Sequence, residues 1–120
     1  MKLFRRRSRK LKIGKFTERW RELQKHCATR KTWPQAIIEA DDLLDDVLKK
    51  KRYKGKTTGE RLVACQHDLS ENEAVWFGHK LRKKLSEETV DVRTLKKKDI
   101  VIALAGFRQA LRDLGALERD

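Results

Sequence analysis

A chain of 120 residues with a formal net charge of +13 has room for one modest core beneath a heavily ionised surface. Such a charge exceeds what solubility needs and favours polyanionic partners: RNA, DNA or an anionic lipid surface. No apolar run approaches the roughly 20 residues of a membrane span, and the basic N-terminus lacks the apolar stretch of a secretory signal, so a cytoplasmic protein is expected.

Met1–Lys15 carries eight Lys and Arg and no acid. Too few apolar residues accompany them to bury a core, so this segment is expected to be a mobile or partly helical arm. Dense like charge suits an interaction tail, and Arg5, Arg6, Arg7, Arg9 and Lys10 are its candidate nucleic-acid contacts. Leu3, Phe4, Leu11 and Ile13 among those cations would also suit an interfacial helix on anionic lipid.

After the arm the helical signals are consistent. Phe16, Trp20, Leu23 and Cys27 fall on one helical face. Thr32-Trp33-Pro34-Gln35 reads as a capping box opening a second helix, which runs to about Lys51 with Trp33, Ile37, Ala40, Leu44 and Val47 inward. Lys54-Gly55-Lys56 breaks it. Thr57 with Glu60 forms another box ahead of a short helix burying Leu62, Cys65 and Leu69. Ser70 with Glu73 forms a third, ahead of a helix with Ala74, Phe77, Leu81 and Leu85 on one side. A connector at about Thr89–Arg93 leads to a last helix from about Thr94, with Ile100, Leu104, Phe107, Leu111 and Leu114 in its stripe and Gly115 as its stop. Thr89–Val92 is the one weak strand candidate. Cys27 and Cys65 lie far apart, without a CxxC, and read as reduced core residues. The chain is therefore expected to be all-α: an antiparallel bundle of four to five helices over 16–120, with a basic arm over 1–15.

Several patterns invite a chemical reading. Gly55-Lys56-Thr57 imitates the tail of a phosphate-binding loop, but Lys50 stands where the first glycine is needed and a helix precedes it. Glu39, Asp41, Asp42, Asp45 and Asp46 form an acidic cluster, yet the Glu-x-x-His pairs of a di-metal bundle are missing. These acids are expected to offset basic helices or to orient Arg82 or Arg61 through a buried ion pair, and neither metal nor cofactor is expected. Trp20 and Trp33 read as core, whereas Trp76 flanks its stripe and is expected at a groove or a dimer contact.

The segment Val75–Glu88, VWFGHKLRKKLSEE, is the most informative. Trp76, His79 and Arg82 resemble the end of the signature helix of HEPN domains, an all-helical family rich in metal-independent ribonucleases. AIIEADDLLDD at Ala36–Asp46, Thr58–Leu62 and the ending Phe107–Gly115 are similar to small uncharacterised bacterial HEPN-like proteins, so the resemblance spans about Phe16–Leu117. The family's active motif is an Arg, usually followed by Asn, with a His four to six residues on. Here Lys83 stands in place of the Asn and Glu87 in place of the nearest His. An ionised Glu87 would repel a phosphate rather than shuttle a proton.

The resemblance therefore implies a bundle, a homodimer and RNA as partner, with no confident catalytic residue. The leading expectation is a non-catalytic module holding RNA through Lys80, Arg82, Lys83 and the arm. One alternative is a helical domain that docks a protein or an anionic membrane. Another is a metal-independent endoribonuclease with a rearranged centre built from His79 and Arg82.

Overall fold

The computed structural model describes residues 11–87 and 90–118, and every regular element among them is helical. Five α-helices follow in order: α1 (Ile13–Gln24), α2 (Trp33–Lys50), α3 (Thr58–Ala64), α4 (Asn72–Ser86) and α5 (Lys97–Asp113). Short 3-10 turns lie in every connection except that between α2 and α3, and one of them, Val92–Thr94, occupies part of the weak strand candidate. No described helix is long and apolar enough to cross a membrane.

The central element is α2. Ala36, Ile37, Ala40, Leu43, Leu44, Val47 and Leu48 lose all their exposure, because α1, α4 and α5 pack around it. Each fully buried leucine or isoleucine there contributes about 1.5–3 kcal/mol, which makes this face the main source of stability. From α1 come Phe16, Trp20 and Leu23. Cys27 does not continue that stripe: α1 ends at Gln24, and Cys27 lies half-buried in the turn Lys25–Ala28. Cys65 is fully buried, and desolvation first, with the charge of Asp68 adding to it, pushes its thiol up to about 12. Such a thiol stays protonated and unreactive.

Of the three expected capping boxes, only Thr57–Glu60 caps its helix, and there the returning bond reaches one residue further back than the box requires. Glu60 N donates to Thr57 Oγ1 at 3.1 Å, and the Glu60 carboxylate accepts from Lys56 N at 2.8 Å. At Thr32 the box is replaced, because the turn Arg30–Thr32 sets a non-extended backbone and Thr32 Oγ1 donates to His26 O at 2.6 Å. At Ser70 it is replaced as well. Ser70 N and Oγ both donate to Asp113 Oδ2 at 2.8 Å, so the residue ties the start of α4 to the end of α5.

The helix stops are geometrically clear. Gly115 takes φ 82°, and Ala116 N donates to Leu111 O at 2.8 Å in a Schellman closure. The same closure ends α2, with Tyr53 N donating to Leu48 O at 3.1 Å, but Arg52 supplies the left-handed residue at φ 67°.

The α4–α5 contact corrects the expected face of α4. Val75, Gly78, His79 and Leu85 are buried, while Phe77 is 38% exposed. Two glycines cause the rotation. A Cβ on Gly78 would lie 2.7 Å from Phe107 Cε2, and one on Gly106 would lie 2.6 Å from the backbone of Ala74. The helices therefore meet through backbone and a single ring, and the large side chain Phe77 is turned outward. The last helix likewise starts at Lys97 rather than Thr94, and it buries Ala103 and Gly106 while Leu104 is only half-buried.

Candidate nucleic-acid interface

On α2 the inward row that carries Ile37, Leu44 and Leu48 also carries an aspartate. Asp41 is 1% exposed, and a buried carboxylate is unfavourable unless it is fully engaged. Its partners come from α4, where His79 and Arg82 lie one turn apart on the same face. His79 Nδ1 sits 3.1 and 3.2 Å from the two Asp41 oxygens. Arg82 Nη1 donates to Asp41 Oδ2 at 3.0 Å and to Asp42 Oδ1 at 2.9 Å, while its Nε donates to Ser86 Oγ at 2.8 Å. Burial disfavours the Arg82 charge, but hydrogen bonds and charge from Asp42 and Asp41 outweigh it, and the guanidinium is held more basic than usual.

This arrangement dictates the state of the imidazole. An ionised Asp41 offers acceptors only, so His79 Nδ1 must donate, and in the neutral ring Nε2 is left as the acceptor. That Nε2 lies across from α3, 3.8 Å from where a Cβ on Gly59 would stand. Trp76 meets the His79 ring edge-on, with centroids 5.7 Å apart and planes at 78°. Its far ring edge also borders Gly59, with Cη2 3.6 Å from the same Cβ position.

The result is an open groove of about 460 Å³ between α3 and α4. Thr57, Thr58 and Gly59 form one wall, Trp76 and His79 the floor, and Lys80 and Lys83 the opposite rim. Lys80 and Lys83 are exposed and have no carboxylate partner among the described residues. Glu87 caps the far end of α4, exposed and outside the groove lining.

The sequence-derived candidates are thus sorted by geometry. His79, Lys80, Arg82 and Lys83 come together at one groove. Arg5, Arg6, Arg7, Arg9 and Lys10 lie outside the described residues. The acidic cluster is distributed among cations rather than around a cavity. Asp41 and Asp42 hold Arg82, Asp46 pairs with Arg19 at 2.9 Å, and Asp45 grips Arg61 through Nε at 2.7 Å and Nη2 at 3.0 Å. Arg61 also donates to Gly55 O at 2.6 Å, which fixes the loop ahead of α3 and so the wall of the groove. Among the described residues, no group of three or more His, Cys, Asp and Glu is placed to hold a metal ion. Gly59 and Thr58 were not singled out as site residues in the sequence. Their position, immediately after the Thr57 cap, is a signal that could have found them.

Comparison with family models, curated proteins and solved structures finds no match for this chain. Its function is therefore read from the groove itself.

Proposed function

We propose that this bundle is a non-catalytic RNA-binding module whose α3–α4 groove holds a single strand. The observation that carries this reading is the pair of exposed cations, Lys80 and Lys83, without a carboxylate partner among the described residues and on the rim beside the half-exposed Trp76. Phosphates would lie against the lysines and a base against the indole, the two contacts that dominate single-strand binding. Within the same reading, the Asp41-fixed His79 Nε2 accepts from a ribose 2′-hydroxyl, a group DNA lacks. Arg82 contributes through Nη2, which has no partner among the described residues, while its other nitrogens hold the groove in shape. The basic arm adds phosphate contacts of its own. Resemblance to HEPN-like proteins agrees with RNA as the partner and adds the expectation of a homodimer.

One observation favours a second reading. An imidazole oriented by a buried carboxylate beside an arginine contains the parts of a general base and a phosphate-stabilising cation. Against it stands the neutralisation of Arg82 by two aspartates, which leaves little positive charge for a developing phosphorane.

Labelled single-stranded RNA titrated in EDTA at several salt concentrations tests both. A mobility shift with intact RNA is expected, weaker for the matching DNA. Lys80→Ala combined with Lys83→Ala should lower the slope of log affinity against log salt by about 1.4, at about 0.7 per lost phosphate contact on single strands. Unchanged affinity and slope would sink the groove as the binding site. Cleavage that survives EDTA but is abolished by His79→Gln would establish the enzyme instead. Anionic vesicles bound in preference to RNA would move the function to the membrane surface.

A further inference from the structure

A second cleft, of about 540 Å³, opens where the start of α1 lies beside the end of α5. Its charge is one-sided. Among the described residues, Arg21 from α1 and Arg108 and Arg112 from α5 line it together with one acid, Glu118. Four arginines outside the cleft, Arg19, Arg61, Arg82 and Arg93, each engage an aspartate. Arg21 and Arg108 are exposed and have neither an ion pair nor a hydrogen bond among the described residues. Two uncompensated guanidiniums from different helices facing one cavity repel each other, and an anion between them reverses that cost.

Trp20 borders the same cleft at 6% exposure, and its Nε1–H, shielded from solvent, meets no acceptor among the described residues. A buried donor left without an acceptor costs roughly 1–3 kcal/mol, and such groups in folded proteins commonly mark a ligand, ion or water site.

We infer that this cleft binds a phosphate group. Guanidiniums match the oxygens of phosphate through paired N–H donors, which a single ammonium cannot do. The cleft is also far larger than a bare ion needs and lies in the range of small-molecule sites, with Thr17, Gln24 and Glu118 able to meet hydroxyls or ring nitrogens of whatever carries the phosphate. The site is separate from the α3–α4 groove and shares no lining residue with it.

The test uses the full chain and inorganic pyrophosphate, followed by calorimetry and by the Trp20 indole resonance in a nitrogen–proton spectrum, with chloride at matched ionic strength as reference. Saturable binding that moves the Trp20 resonance is expected. Arg21→Ala combined with Arg108→Ala should weaken it at least tenfold, whereas Lys80→Ala with Lys83→Ala should leave it within twofold. Both arginines are exposed, so the double variant should melt near the parent temperature and loss of fold is separable from loss of binding. Displacement by ATP but not by 5′-phosphorylated RNA assigns the phosphate to a free nucleotide; displacement by 5′-phosphorylated but not 5′-hydroxyl RNA assigns it to an RNA end. Equal binding by the arginine variant, no binding beyond chloride, or sensitivity to the lysines instead would each overturn the inference.

Discussion

Replacing Asp41 by Asn probes the contact that joins α2 to α4. The substitution keeps the shape but removes the charge that His79 Nδ1 and Arg82 Nη1 both share. Breaking a buried ion pair from one side costs about 3–5 kcal/mol, because the remaining charge is left without its counterion. Arg82 keeps Asp42, and 24% of its side chain is exposed, so water can take over part of the lost interaction and the lower end applies. For a chain of 120 residues, an unfolding entropy of about 2.1 cal/mol/K per residue sums to roughly 0.25 kcal/mol/K, so about 3 kcal/mol becomes a fall of about 12 °C in Tm. Calorimetry at pH 7 reads this directly. An Asp41→Asn protein melting within about 3 °C of the parent would refute the reasoning, since it would mean that the network is no better than the neutral alternative. The same variant should bind RNA more weakly, because His79 and the base of the groove lose the carboxylate that orients them.

Asp45 gives a pH signature. Burial acts to raise its carboxyl, but hydrogen bonding and charge from Arg61, then Lys49, carry it below the usual carboxylate range. The unfolded chain thus takes up this proton more readily, so the contribution is present above about pH 4 and is lost as pH falls through the folded value. Asp45→Asn should lower stability by about 3 kcal/mol at pH 7 but by much less near pH 2, which urea melts at the two pH values would show; a constant difference would exclude the Arg61 brace as the cause. Glycine substitutions should have opposite signs at two helix positions. Gly106→Ala drives a methyl into the Ala74 backbone and should cost about 2–3 kcal/mol. Gly14→Ala in the first turn of α1 meets nothing within 4 Å and should gain about 0.5–1 kcal/mol. Equal melting temperatures for the two variants would show that the tight α4–α5 approach is not a constraint.

The bundle was legible because α2 and α1 bury large apolar residues at helical spacing, and because Thr57–Glu60 caps through contacts only three residues long. Reading failed where the decisive partner is distant. Ser70 looked like a cap but is taken by Asp113, 43 residues on. The inward face of α4 was misjudged because periodicity weighs large side chains, whereas the contact with α5 is made by Gly78 and Gly106. At the site, the sequence singled out His79, Arg82 and an acidic cluster that could orient Arg82. It could not show that one member, Asp41, serves both residues, since 38 residues separate it from His79. Nor did spacing place Gly59 opposite the imidazole, because that depends on how α3 is braced by Arg61.

The two walls of the α3–α4 groove belong to different parts of the molecule. Helices α4 and α5 pack together through their two glycines, while α3 is fastened to α2 through Arg61 and Asp45. The groove is thus a seam, and Asp41 is the polar contact that closes its base. Release of α3 alone would erase the groove while leaving α1, α2, α4 and α5 packed around their common core, so α3 is a natural unit of sub-global unfolding. Anything bound across the seam adds RT ln(1 + [L]/Kd) to the cost of opening. Amide protons of α3 and the adjoining turns of α4 should therefore exchange with solvent more slowly as occupancy rises, so that local exchange rates in this protein serve as a ligand assay.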